Sequence, residues 1–154
     1  ERLIEIPQVV GLKWAAPRSS FMPFEDVVHT FSNKFCFIDN DLLFPISYVL
    51  GARAFEVHLC NHWPQWGVKL LNNLYNNKLD QVVIDMANEA KPFYKLWSKI
   101  ENEYTSGDGY LDKLCMELVG LPSSRCRPPT RDIRNIYREQ ARKMLIESGT
   151  PGVI

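Results

Sequence analysis

The sequence predicts an α/β protein: a parallel sheet built from strand–helix units, followed by a region of helix alone. Two observations carry this. Short apolar runs alternate with helical patterns through the first half of the chain, which is the signature of βα units. The second half shows only apolar residues at 3–4 spacing, bounded by Gly and Pro. The 154 residues are 45% hydrophobic, 12% aromatic and 23% charged, an ordinary globular composition with enough apolar material for a sizeable core.

The strands come first. Val9 to Trp14 (VVGLKW), Phe35 to Ile38 (FCFI) and Ala54 to Leu59 (AFEVHL) are short and rich in Val, Ile and Phe, as expected of strands buried on both faces. Between the first two, Pro23 to Phe31 reads as a helix that opens with Pro, places Glu25 and Asp26 in its first turn and buries Val27, Val28 and Phe31. Between the second and third, Leu42 to Leu50 is an apolar helix stopped by Gly51, with Asn40 or Asp41 as its N-cap.

Only helices follow. Gln65 to Asn76 is one, and Leu79, Val82, Val83, Met86 and Ala90 form the apolar stripe of the next. Pro92 is expected to kink or end that helix, because it lacks an N–H and restricts Lys91. The stripe resumes with Phe93, Leu96, Trp97, Ile100 and Tyr104. After a loop at Thr105-Ser106-Gly107-Asp108-Gly109, a helix from Tyr110 ends at Gly120 with Pro122 as the stop. A last helix over Asp132 to Ser148 ends at Gly149 and Pro151. The organisation expected is thus βα units over 1–78 and a helical region over 79–154.

Several function classes are excluded by charge and patterning. Eighteen basic residues balance eighteen acidic ones, which argues against a general nucleic-acid or membrane-surface binder. No apolar run approaches the roughly 18 residues of a membrane span, and the opening ERLIEIPQVV does not read as a signal peptide. Cys36, Cys60, Cys115 and Cys126 lack any CxxC pairing, and the first two sit in apolar runs where a free thiol behaves as a small hydrophobe. A reducing, cytoplasmic setting fits them. Three βα units cannot close a barrel, which needs about 250 residues. The alternatives are a small open α/β domain or the back end of something larger, and a start at Glu1 in mid-pattern favours the second.

Lys13 is the first candidate for chemistry. It stands at the C-terminal end of a strand, and a desolvated amine can be neutral enough to attack a carbonyl and form a Schiff base. The plain alternative is a strand-end lysine that reaches solvent. Glu56 and His58 lie two apart on the third strand, hence on one face, where they could move protons or hold substrate hydroxyls; the plain alternative is a pair of hydrogen-bonded groups at a helix–sheet seam. Asp39, Asn40 and Asp41 follow the second strand directly. A metal site at His58, Cys60 and His62 is disfavoured, since Pro64 prevents a helical His pair. Arginines 125, 127, 131, 134 and 138 have Asp132 and Glu139 among them and read as a solvated helix face.

These residues line up with a known family. IPQVVGLKW resembles the stretch around the Schiff-base lysine in the dihydrodipicolinate synthase and N-acetylneuraminate lyase family. FIDNDLLFPISYVLGARAFEVHLCNHWP resembles the portion that follows, and YLDKLCMELVGLPSSRCRPP is similar to the family's K-x-x-x-x-x-x-G-L helix and Pro-rich stretch. The resemblance implies the C-terminal part of a (β/α)8 TIM barrel, about strands six to eight, followed by a C-terminal helical extension. It implies a Schiff base between Lys13 and pyruvate or a related 2-oxo acid in an aldolase-type lyase, with an aldehyde or sugar acid as the other small-molecule partner. A 2-oxo-3-deoxy sugar acid dehydratase and a catalytically silent ligand-binding barrel are the alternatives.

The resemblance further implies a homo-oligomer, dimer or tetramer; no cofactor, no metal and no nucleic-acid or membrane partner is expected. Asp39, Glu56 and His58 depart from the commoner family residues and are expected to bind substrate, since such a lining suits a hydroxylated molecule. The family's tyrosine proton relay and carboxylate-holding hydroxyl pair belong to earlier strands. By itself the chain is therefore not expected to turn over substrate.

Overall fold

The computed structural model describes residues 2–15, 22–104, 109–122 and 125–154, so most of the loop expected at 105–109 lies outside the described residues. The described residues form two compact units, one ending at Val57 and the other beginning at His58.

In the first unit, β1 (Gly11–Trp14), β2 (Cys36–Asp39) and β3 (Ala54–Phe55) form a parallel sheet in the order β1-β2-β3. Helices α1 (Met22–Phe31) and α2 (Phe44–Leu50) provide the crossovers. Lys13 pairs with Ile38, Trp14 with Asp39, and Asp39 in turn with Phe55. Strand alternation puts Leu12, Trp14, Phe37 and Phe55 on one face, where they pack with the buried Phe24 and Val28 of α1 and with Ala52. The other face carries Gly11, Lys13 and Cys36, all exposed. The strands are therefore covered on one face, not on two, and Cys36 is not the buried hydrophobe its apolar run suggests.

This architecture overturns the barrel expectation. A closed βα barrel requires eight tilted strands whose hydrogen-bonding edges meet. The described residues hold an open sheet of three, with one strand only two residues long, and seven α-helices dominate them. The third apolar run is cut short for a local reason. Strand β2 ends at Asp39, so beyond the bond from Glu56 N–H to the Asp39 carbonyl (2.9 Å) there is no ladder left to extend. The chain turns instead into a 3-10 segment, His58–Asn61.

Helix α2 also begins differently from expectation. Leu42 adopts a left-handed φ of 61°, and the N-cap position is Leu43, not Asn40 or Asp41. Its C-terminus is as expected: Gly51, at φ 117°, closes the helix through its N–H to the Ser47 and Tyr48 carbonyls.

The second unit is helical throughout: α3 (Pro64–Tyr75), α4 (Leu79–Asp85), α5 (Lys91–Tyr104), α6 (Tyr110–Leu118) and α7 (Arg134–Glu147). Trp66, Leu70 and Leu74 recur every four residues on α3, and Phe93, Leu96 and Ile100 form the buried stripe of α5. Pro92 does not end the helix. A π turn, Met86–Ala90, precedes it, and the Lys91 N–H reaches the carbonyl of Met86 five residues back. Widening the backbone there makes room for a ring that would otherwise strike a carbonyl one turn earlier. Asp85 anchors the turn by accepting from Gln81 Nε2 (2.8 Å) and Asn73 Nδ2 (3.1 Å), while Glu89 accepts from Trp66 Nε1 (2.8 Å) and pairs with Lys69.

Two of the arginines are not the solvated face expected of them. Arg134 and Arg138 of α7 both pair with Glu117 of α6, at 2.9 and 2.5 Å, and Arg134 is only 14% exposed. The bond from Arg138, and then the two guanidinium charges, hold the Glu117 carboxyl below its ordinary value. A lowered carboxyl pKa stabilises the fold above the unfolded value, and that contribution disappears as pH falls through the lowered one. Glu117→Ala should lower stability by roughly 1 kcal/mol at pH 7, because the pair is partly solvated. The loss should shrink below pH 4 and in molar salt, and a loss insensitive to both would contradict this account.

Candidate functional site

In open parallel sheets, ligands sit outside the carboxyl ends of the strands, because the loops there diverge and leave a crevice. Lys13, Asp39 and Glu56 all lie at that end in this structure: Lys13 next to last in β1, Asp39 last in β2, Glu56 immediately after β3. Parallel pairing and strand alternation place Lys13 and Glu56 on the same face, opposite α1 and α2. Their side chains meet there, Lys13 Nζ to Glu56 Oε2 at 2.5 Å. The lysine side chain is 53% exposed and that of the glutamate 30%, so the amine is reachable and is not desolvated. The pair places a nucleophile and a proton acceptor at one point, the elements that imine formation needs.

Asp39 is placed differently. It is fully buried on the helix-covered face. Its carboxylate accepts from the Ser47 hydroxyl (2.5 Å) and the Asp41 N–H (2.6 Å), with a further backbone bond from Leu43. Burial pushes its carboxyl above the ordinary value, against the pull of the Ser47 and Asp41 bonds. The side chain thus secures the turn between β2 and α2.

His58 belongs to the second unit. Its Nδ1 lies 2.9 Å from Asp112 Oδ2, and Asn61 Nδ2 donates to the other Asp112 oxygen at 3.2 Å. The His58 ring stacks on Phe93 and contacts Tyr94 and Trp97, and its main-chain N–H donates to the Tyr94 hydroxyl (3.2 Å). His62, 5% exposed, lies against the same Phe93, and its Nδ1 is buried without a partner among the described residues. Burial lowers its pKa to about 4, with the Asp112 charge opposing. His58, Cys60 and His62 form no metal-binding group among the described residues. Cys60 and the fully buried Cys115 both have thiols pushed above their ordinary value by burial, which leaves them unreactive near neutrality.

Sequence reasoning missed Asp112 and Ser47. Each had a signal. Asp112 is a carboxylate beside Leu111, on a helix whose Leu111, Leu114, Cys115 and Leu118 are buried, a position that demands a partner. Ser47 is the buried hydroxyl in the apolar turns of α2.

The chain is similar to a protein of Oceanobacillus iheyensis named as a probable 5-dehydro-4-deoxyglucarate dehydratase, with 27% identity over 154 residues. The match takes in 94% of this chain and 47% of the relative, so the chain spans about half the length of the curated relative it matches. No family model matches the sequence, and no solved structure matches it. Among the described residues, no helix is long and apolar enough to cross a membrane.

Two outcomes follow from the buried groups. Ser47→Ala leaves a buried carboxylate oxygen without its donor, so stability should fall by about 1–3 kcal/mol, measured by urea unfolding; an unchanged midpoint would remove Asp39–Ser47 as a structural bond. His62 is held neutral when folded but protonates near 6.5 when unfolded. The unfolded state therefore binds more protons between those values, and stability drops as pH falls from 6.5 to 4. The full loss is about 3 kcal/mol. His62→Phe should flatten the pH–stability curve across that window, and an unaltered slope would show that His62 is not the group responsible.

Proposed function

We propose that this chain contributes to a lyase that removes water from a hydroxylated 2-oxo acid through a Schiff base on Lys13. The observation that carries the proposal is the Lys13–Glu56 pair at the carboxyl edge of the parallel sheet. Similarity to a protein named as a dehydratase of a keto-deoxy sugar acid supports the reaction class, and favours elimination of water over aldol cleavage.

The amine attacks the ketone carbon, and the proton it must lose has an acceptor in Glu56 at 2.5 Å. Glu56 returns that proton to the former carbonyl oxygen, which leaves as water and gives an iminium. That cation acidifies the neighbouring C–H; Glu56, again a carboxylate, takes this proton and passes it to the hydroxyl on the next carbon, which departs as water. Hydrolysis of the imine returns the amine and releases product. No external oxidant, reductant or cofactor is consumed. In this proposal Asp39 is a positioning residue that sets the end of β2, and with it the point where Glu56 bonds to the Asp39 carbonyl. His58, bonded to Asp112, is carried forward as a substrate-binding residue on the resemblance alone. Self-association, and the division into 1–78 and 79–154, are carried forward with the same resemblance.

Borohydride reduction in the presence of pyruvate or a 2-oxo-3-deoxy sugar acid, followed by intact-mass analysis of the protein, tests it. One adduct is expected, and none in Lys13→Ala. Glu56→Gln should still trap the keto acid, but at least about a hundredfold more slowly, the usual cost of a missing general base. Release of an aldehyde would replace dehydration with aldol cleavage. An adduct that survives Lys13→Ala, or no adduct at all, would overturn the Schiff-base reading.

A further inference from the structure

The Lys13–Glu56 pair joins two strands that are not neighbours. The sheet runs β1-β2-β3, so the pair passes over the middle strand, on the face that the helices leave open. Two residues of that strand's path lie beneath it. Ile38 pairs with Lys13 on one side and with Ala54 on the other. Asn40, two residues on, follows Ile38 on the same face. It stands level with Glu56, because Asp39 pairs with Phe55 and the Glu56 N–H bonds to the Asp39 carbonyl. Adjacent strands run about 4.8 Å apart, so a molecule attached to Lys13 within reach of Glu56 lies against Ile38 and Asn40.

The two residues differ in kind. Ile38 is only partly buried, unlike Phe37 and Asp39 on either side of it, so apolar surface remains there to be covered. Asn40 is also partly buried, and its amide makes no hydrogen bond among the described residues. Neither amide atom is sealed from solvent. The fold thus holds a donor and an acceptor that its own bonds do not use, beside the carboxylate on which the proposed chemistry turns. Asp39 offers nothing comparable, since its oxygens are committed to Ser47 and the Asp41 N–H.

We infer that Asn40 selects a substrate with a hydroxyl two carbons beyond the keto carbon, its amide N–H donating to that hydroxyl while Ile38 lies under the methylene between. This role rests on the Schiff-base reading of Lys13 and names the part of the substrate that the same site recognises. An apolar contact beside a polar one matches a chain in which a CH2 separates the keto carbon from a CHOH. The hydroxyl that Asn40 holds is the one that departs as water, after Glu56 passes it the proton taken from the methylene. The amide gives up no proton in that step; it fixes the hydroxyl oxygen where Glu56 can reach it.

Borohydride trapping with 4-hydroxy-2-oxopentanoate and with 2-oxopentanoate tests this, since the two acids differ by that hydroxyl alone. Adduct yield against acid concentration gives a half-saturating concentration for each. In the parent chain the hydroxy acid should saturate at about fivefold lower concentration, the ordinary net worth of one hydrogen bond. Asn40→Leu and Asn40→Ala should each abolish that preference while leaving 2-oxopentanoate within about twofold of the parent, which also reports that the variants are folded. A preference that survives both variants, or that is absent from the parent, would overturn the role of Asn40 and leave the Schiff base intact. Equal loss of both acids in the variants would show that Asn40 supports the site as a whole and does not select the hydroxyl. No adduct with either acid in the parent would overturn the Schiff-base reading and this one with it.

Discussion

The first unit depends on a buried carboxylate. A charge in an apolar interior is tolerable only when its lone pairs are met, and Asp39 meets them with the Ser47 hydroxyl and the Asp41 N–H. Satisfying that requirement fixes three things at once. Strand β2 must stop there, α2 must start at a set angle to it, and Leu42 must take a left-handed conformation between them. The Asp39 carbonyl then receives Glu56, which sets where the chain leaves β3. The Lys13–Glu56 pair is thus placed by a side chain on the opposite face of the sheet.

The second unit solves the same problem with Asp112. Its carboxylate takes one bond from an imidazole and one from an amide, both supplied by the 3-10 segment that opens the unit. Phe93 packs against His58 and His62, so this polar cluster is walled by aromatic rings. One carboxylate serves two histidines, and only His58 bonds to it. A low-dielectric surrounding makes the made bond strong and the unmade one costly.

Periodicity was sufficient for element type and order. The apolar runs at Val9, Phe35 and Ala54 are strands or contain them, and the 3–4 stripes from Trp66 to Leu145 are helices. What periodicity does not reveal is where a strand runs out of partner, since that depends on the neighbouring strand's end and not on its own residues. Hence β3 is shorter than AFEVHL, and His58 leaves the strand face that Glu56 follows. Closure was similarly out of reach of local pattern, and the family resemblance that implied a barrel described a sheet this chain does not close. Lys13 and Glu56 were legible because both their residue types and their strand positions are local. Asp112 lies 54 residues from His58 in sequence, and only packing brings the two together.

The π turn ahead of Pro92 has a consequence for how this chain can vary. A π turn carries one residue more than the helical path around it, and each residue added to or removed from a helix rotates everything beyond it by about 100°. The α5 stripe of Phe93, Leu96 and Ile100 faces inward only because that extra residue is present. Within Met86–Ala90 the number of residues is therefore constrained more tightly than their identity. Homologous chains could substitute freely at the exposed positions there, whereas loss of a single residue would have to be matched by a compensating gain before Phe93.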